Sequence, residues 1–509
     1  MRLLLHLLTG VFLCGKISGQ PFFEISYGGS GSSSLHGVTH LRNDAIGVIG
    51  KTNGSANVYF VSAFQSNGSL AWERTFMETQ NEQFEFTRIR PAQDGGLIVY
   101  GYYENMLSGG DKDPFLMKLD SAGQTQWMQI YRGAQDQNAV NMRPTRDGGY
   151  ICTGYFASNQ NNLCYFLLKT DSAGNREWGK VYLHPYLPKP TLKDVYEDEN
   201  GDYICGGKFG DTLVVFKTSH TGALVWAKNL VRPGSLLRPD AMAPGHAPGT
   251  FIATGGTTPE QAYIIGMDTL GAVLWANAYT NFILHDAVIA PGSGHLLSGV
   301  YDPASPHEGM MLRIDNAGLP VWGKAFSNSA SLSAVDTLQQ GNGYALCGAY
   351  PTTPNTLPTC GYLLRTDTSA KLNCSENSAG VVCNPTSIIV SPRTLPSIDY
   401  FSAEPFTLQD TPYPLSDWIM CAGSVGIAEN ESGNAIHVWP VPANDRLRLE
   451  FPEDAEWNMQ LTDVTGKSIL KKSLRGKTHE LSVENFPRGM YLLHAENGNT
   501  TFTQKIILQ

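Results

Sequence analysis

Between Phe22 and Asp367 the chain alternates between clusters of turn residues and short apolar runs that end in glycine. "AQDGGLIVYG", "TRDGGYICTG", "DENGDYICGG", "HAPGTFIATGG", "GSGHLLSG" and "GNGYALCG" follow this plan, and "RNDAIGVIG" is a weaker seventh copy. A turn cluster feeding an apolar run predicts a hairpin entering a buried strand. A second pattern falls between these segments. Gly-x-x-x-Trp recurs at Gly68/Trp72, Gly123/Trp127, Gly174/Trp178, Gly222/Trp226, Gly271/Trp275 and Gly318/Trp322, with Trp spacings of 55, 51, 48, 49 and 47. Asp precedes the glycine by three at Asp120, Asp171, Asp268 and Asp315, and an aromatic follows the Trp by four at Phe76, Tyr131, Tyr182, Tyr279 and Phe326. Each unit reads as strand, turn, buried strand ending at Gly, apolar strand such as "PFLMKLD", tight turn, and a strand carrying Trp. Four strands in about fifty residues is the period of a β-propeller blade.

The ends of the repeat predict how the ring closes. "GYLLRTDTSAKLNC" keeps Asp367 but has Ala370 in place of Gly and Cys374 in place of Trp, so this copy lacks its outer strand. "FFEISYGG", near the N-terminus, has Phe23 and Tyr27 at the Trp and aromatic offsets and lacks the rest of a blade. The two fragments together make one blade, which predicts a seven-bladed all-β ring closed by the N-terminal strand, with no edge left unpaired between first and last blades.

The repeated residues read as structural. An indole buries roughly 150–250 Å², worth about 4–6 kcal/mol at ~25 cal/mol per Å², so Trp72, Trp127, Trp178, Trp226, Trp275 and Trp322, with Phe23, are expected to hold neighbouring blades together. Gly makes the turn and Asp ties it. A catalytic residue is needed once, whereas these recur in every unit.

"DPFLMKLDSAGQTQWMQIYRG" is similar to the secreted bacterial β-propeller repeat whose units end in Asp-x-x-Gly-x-x-x-Trp, and the likeness covers about Phe22 to Asp367. The Trp arrangement also resembles that of quinoprotein dehydrogenases. Those have eight blades and often a vicinal cysteine disulfide, and this chain has seven copies and no Cys-Cys pair, so no cofactor is expected.

From about Thr368 the repeat breaks. Residues 374–426 read as an irregular extension containing Cys374, Cys383 and Cys421, two of which should pair, and 427–434 as a linker. Residues 435–509 show alternating apolar and polar positions in "IHVWPVPANDRLRLE", "MQLTDVTGKSIL", "LSVENFPRGMYLLHAE" and "TFTQKIILQ", which predicts a small β-sandwich. These stretches closely resemble the C-terminal sorting domain of proteins exported by the type IX secretion system. The matching positions are Pro440, Pro442 and Ala443, then Asp463, Gly466 and Lys467, then Gly489 and Tyr491, and last Lys505, with Val441 departing from the usual Asn. The resemblance implies the type IX machinery as a partner, export to the medium or the outer face of the outer membrane, and removal of the domain with release or lipopolysaccharide anchoring.

"MRLLLHLLTGVFLCGKISGQ" has the layout of a secretory signal, residues 1–19, with cleavage expected after Gly19. Leu13 before Cys14 argues against lipidation, and no transmembrane segment is expected, because no later apolar run reaches the length of a span. The ring then occupies residues 20–373. A net charge of -10 argues against nucleic acid and anionic membrane surfaces as partners. In an oxidising compartment Cys152/Cys164 and Cys347/Cys360, each flanking one hairpin, are expected to form disulfides, while Cys205 has no mate in its hairpin. "DENGD" mimics a calcium loop at Asp198, Asn200 and Asp202 but lacks the required Gly and the bidentate Glu, so it reads as a hairpin turn. "GGDKDP", with Asp111 and Asp113, reads as a loop.

No nucleophile, phosphate-loop or metal motif occurs. Asp194, Asp240, His285 and Asp286 fall on predicted inner strands and are the candidates to face a central channel. Three readings follow: a secreted or surface propeller binding an unknown macromolecule or glycan, an enzyme (hydrolase, lyase or quinoprotein-like) using channel carboxylates, or a structural envelope or matrix component.

Overall fold

The computed structural model of this chain describes residues 22–508, apart from breaks of one to six residues and the runs 183–190, 406–415 and 423–436. The chain forms two compact units, Met1–Gly423 and Ser424–Gln509. In the first, seven antiparallel sheets follow the sequence in order: blade 1 (32–77), blade 2 (82–132), blade 3 (136–182), blade 4 (191–231), blade 5 (236–279), blade 6 (282–326) and blade 7 (331–366). Blade 7 supplies three strands of its own and takes its fourth, Phe23–Gly28, from the N-terminus, in the register Phe23↔Arg365, Ile25↔Leu363 and Tyr27↔Gly361. The inner strands of successive blades lie side by side around the whole ring, blade 7 against blade 1 included.

The Trp of one blade rests on the turn glycine of the next. A Cβ at Gly123, Gly174, Gly222 or Gly318 would fall inside 3.0 Å of the rings of Trp72, Trp127, Trp178 and Trp275 respectively, and these glycines have φ of +75 to +79. Glycine alone meets both demands without strain. Trp72, Trp178 and Trp226 donate their indole N–H to the carbonyls of Ser121, His220 and Thr269 at 3.0, 3.0 and 3.1 Å. Four residues on, and so on the same face of the strand, Tyr131 and Tyr182 donate their hydroxyls to the Gly174 and Gly222 carbonyls, both at 2.7 Å, and Tyr279 does the same to Gly318. Asp120 ties its turn by accepting from the amides of Ala122 and Gln124 at 2.9 and 2.8 Å, and Asp171, Asp268 and Asp315 repeat this. Phe23 takes the place of Trp against Gly68. At the joint between blades 6 and 7, Trp322 packs against the cluster containing Ala370, which adopts the glycine conformation at φ +56. The indoles are half-buried, so the gain from each is below that of full burial.

A buried cation two residues before the turn Asp, a feature unread in the sequence, pins the turns of most blades. Lys118 pairs with Asp94 at 2.8 Å, Lys169 with Asp147 at 2.7 Å, and Arg365 with Asp44 at 3.6 Å. In blade 4 Lys217 reaches Asp198 and Asp202 at 2.7 and 3.0 Å, so "DENGD" is a turn closed by a lysine. Asp113 of "GGDKDP" pairs with Arg132 at 3.0 Å.

Two expectations are corrected. The segment after the repeat is a belt of short strands, not an irregular extension. Glu376–Ser378 adds to the outer edge of blade 6, Cys383–Pro385 to blade 5, Ile389–Pro392 to blade 4, Ser397–Asp399 to blade 3 and Ser402–Pro405 to blade 2, all antiparallel. The belt runs back around the ring against the blade order and ends at Ser416–Ala422, which pairs with Phe23–Gly28 and buries that strand between two neighbours.

The expected disulfides are also absent, because register separates the sulfurs. Cys152 lies opposite Leu168 and Cys164 opposite Phe156, an offset of four residues, or about 13 Å along the strand. Cys347 lies opposite Leu363 and Cys360 opposite Tyr350, an offset of three. A disulfide needs Cα atoms within roughly 7 Å, and Cys152, Cys164, Cys205, Cys347 and Cys360 form no disulfide. The pairing expected among Cys374, Cys383 and Cys421 concerns side chains outside the described residues, as do the signal segment and the linker.

The second unit is a sandwich of a three-stranded and a four-stranded sheet around Trp457, Phe451, Leu447, Leu449, Leu461 and Ile506. Asp463 accepts from the Lys467 amide at 3.1 Å, Tyr491 is buried and donates its hydroxyl to the Pro487 carbonyl at 2.6 Å, and Gly489 has φ +151. Lys505 pairs through its backbone with Leu492. Pro440, Pro442 and Gly466 lie outside the described residues.

Candidate channel site

Every inner strand carries a β-bulge at the same place. The register skips one residue in each: His36, Thr87, Val140, Lys193, Asp240, His285 and Ser333 in blades 1 to 7. A bulge breaks the two-residue alternation and turns the extra side chain aside. Residues before it alternate between buried and partly open, and all seven bulge residues are partly open to the channel. This tier places Asp240 and His285 in adjacent blades, with Lys193 before them and Ser333 after.

The other two candidates lie one position beyond the bulge, and they join blades. Asp194 accepts from Asn141 Nδ2 at 2.7 Å and from the amides of Val195 and Met242 at 2.8 and 2.9 Å, and it pairs with Arg143 at 2.8 Å. Arg143 reaches on to the Met242 carbonyl at 2.8 Å, so blades 3, 4 and 5 meet on one carboxylate. Asp286 accepts from the amides of Ala287 and Val335 at 2.9 and 3.2 Å, joining blades 6 and 7. Blade 7 is joined to blade 1 by Asp336, which accepts from Thr39 Oγ1, the His40 amide and His40 Nδ1, each at 3.0 Å. That contact raises the His40 pKa above the ordinary histidine value; burial is the largest effect on Asp336 and acts to raise it, and the hydrogen bonds and charge of His40 together with the charge of Arg90 outweigh it and hold the carboxyl low.

The bulge tier carries the more perturbed groups. Burial pushes the Asp240 carboxyl up to about 7 against the opposing pull of Lys193 and Arg238, and burial lowers the Lys193 ammonium against the pull of Asp240. Burial also lowers His36 and His285. His285 meets the Leu332 carbonyl at 3.2 Å through Nδ1, and His36 meets Ser34 Oγ at 2.6 Å through Nε2. Such an arrangement can discriminate charge and hydrogen-bonding pattern around a ligand entering the channel. Lys193, His36, Arg88 and Arg90 were not singled out in the sequence. The signal that finds them is the position after the conserved spacing to each buried Gly strand, where the repeats stop agreeing with one another. Among the described residues no group of three or more His, Cys, Asp or Glu side chains is arranged to hold a metal ion, and no helix is long and apolar enough to cross a membrane.

Residues 437–509 match the family described as "Secretion system C-terminal sorting domain". No curated protein matches the sequence. Among solved structures, the chain is similar to the periplasmic gluconolactonase of Pseudomonas aeruginosa at 11% identity, over 61% of this chain and 97% of that one, with a TM-score of 0.42. It is similar to a protein of unknown function from Dyadobacter fermentans at 12% identity, over 68% and 96%, with a TM-score of 0.39. A putative 6-phosphogluconolactonase from Bacteroides uniformis gives 9% identity, over 59% and 95%, with a TM-score of 0.39. The sheet order, the closing N-terminal strand and the matched C-terminal domain together identify the chain as a secreted or cell-surface seven-bladed β-propeller repeat protein carrying a C-terminal type IX secretion sorting domain.

Proposed function

We propose that the ring is a binding module which, once exported, recognises a macromolecular or glycan ligand through its channel and the loops at one end. The observation that carries this reading is the bulge tier. The frame repeats the same Trp, Gly and Asp contacts around the ring, while the equivalent bulge positions carry seven side chains of five chemical kinds, two imidazoles, an ammonium, a carboxylate, two hydroxyls and an isopropyl group. A scaffold conserves what its blades need from one another; difference at equivalent, partly solvated positions supports selection by a ligand. Residues 20–373 with the belt form the retained part in this reading, and 435–509 is removed, with release of the ring or its anchoring to lipopolysaccharide. Capture of envelope polysaccharides and proteins by the purified chain tests it: capture should fall when Lys193, Asp240 and His285 are changed together, and unchanged capture refutes the channel's role. Localisation of the full chain and of one lacking residues 435–509 tests export; identical distribution refutes it.

A second reading, a channel hydrolase or lyase, is favoured by Asp240, whose carboxyl near 7 beside a depressed ammonium suits proton transfer at neutral pH. Turnover of a captured glycan that disappears in Asp240→Asn would select it over simple binding.

A further inference from the structure

Arg88 and Arg90 follow the bulge of blade 2's inner strand two positions apart, on one face of the strand, and both are partly open to the channel. Arg88 donates Nε–H to Asn141 Oδ1 at 3.2 Å and Nη1–H to the Thr87 carbonyl at 3.4 Å. Arg90 donates Nη1–H to the Ile89 carbonyl at 3.1 Å. A guanidinium has five N–H donors, so most of this donor capacity faces the channel. Among the described residues neither side chain has a carboxylate within ion-pair distance.

That departs from how this molecule holds most of its other buried cations. Lys118, Lys169, Lys217, Arg143 and Arg365 each have a carboxylate, and Arg313 has four backbone carbonyls. Arg143 stands at the position equivalent to Arg90 on the neighbouring blade, so three guanidiniums crowd one wall. Burial and Arg143 depress the Arg90 pKa, with Arg88 adding to the effect, while the carboxylates of Asp286 and Asp336 act on it in the opposite sense. Those carboxylates are already engaged, Asp286 by the amides of Ala287 and Val335, and Asp336 by His40 and Thr39. An arginine cannot shed its proton to relieve the crowding.

We propose that an oxyanion group, a carboxylate, phosphate or sulfate, binds in the channel on the free N–H groups of Arg88 and Arg90. Planar forks of this kind bind such groups bidentately. The inference deepens the binding reading by naming the chemistry of one part of the ligand, and it rests on the channel being the recognition surface.

Titration calorimetry of the purified full chain with sulfate, phosphate and glucuronate, at constant ionic strength in chloride, tests it. Saturable binding of at least one is expected, and which one binds separates a phosphoryl or sulfate source from a sugar acid. Arg88→Gln and Arg90→Gln should each weaken it about tenfold or more, while Arg446→Gln in the second unit leaves it unchanged. Should either channel variant fail to fold, protection of Arg90 in the wild-type chain from phenylglyoxal by the bound anion decides the question. No saturable binding to the wild-type chain, unchanged affinity in both channel variants, or no protection overturns the proposal. Anion binding that persists while macromolecular capture fails overturns the function reading and leaves this site standing.

Discussion

Replacing Gly318 and Gly292 by alanine, one at a time, isolates what the Trp-on-Gly joint contributes. Both glycines have positive φ, +78 and +83, so each variant bears the same backbone penalty, roughly 1 kcal/mol for an L-residue in that region. Their surroundings differ. At Gly292 a Cβ meets nothing within 4 Å, whereas at Gly318 it would fall inside 3.0 Å of Trp275 and Asn277 Nδ2. Relieving that overlap displaces the indole and adds about 1–3 kcal/mol. The Gly318 carbonyl also accepts from the Tyr279 hydroxyl and from Asn277 Nδ2, and each strained bond adds about 1 kcal/mol. Gly318→Ala should therefore lose roughly 4–6 kcal/mol and Gly292→Ala about 1 kcal/mol. Urea unfolding followed by Trp fluorescence reads both midpoints. Equal losses would mean that the penalty is backbone alone and that the indole does not hold blade 5 to blade 6.

Three further outcomes follow from the same structure. Ala370→Gly relieves φ +56 at the one joint built without glycine and should stabilise the ring by about 0.5–1 kcal/mol, read as a higher urea midpoint. Asp240, raised from 3.8 to about 7, binds more protons folded than unfolded between those values, so its contribution is fully present below pH 3.8 and is lost as pH rises through about 7. The ceiling is roughly 4 kcal/mol and channel water reduces it; unfolding between pH 4 and 7 should show Asp240→Asn gaining on the wild type as pH rises, and parallel profiles would contradict the burial argument. Alkylation of the urea-denatured, unreduced chain should label Cys152, Cys164, Cys205, Cys347 and Cys360, with mass spectrometry checking each; protection of any pair until reductant is added would restore the bridge.

The ring was legible because its joints are made of unlike residues at fixed distances: an indole, and the glycine that must face it one blade later. The closing strand was legible for the same reason, since Phe23 and Tyr27 keep the offsets without the rest of a blade. Strand pairing was not. Whether Cys152 meets Cys164 depends on the length of the connection between their strands, which fixes the register, and hairpin membership alone says nothing of it. The belt escaped notice because segments as short as Glu376–Ser378 carry too few residues for a period and draw their order from edges already present. Asp194 and Asp286 lie on inner strands, and a bulge one residue earlier turns them into the joints between blades. A phase change of a single residue leaves no mark on composition.

Because Ser416–Ala422 lies outside Phe23–Gly28, the clasp of this ring is itself covered. Pulling the chain's first strand away from the ring means tearing a ladder of backbone bonds on each side of it, and the outer ladder exists only after residue 422 has been made. A protease that trims the chain past that point leaves the clasp shut; one that cuts before residue 416 frees it.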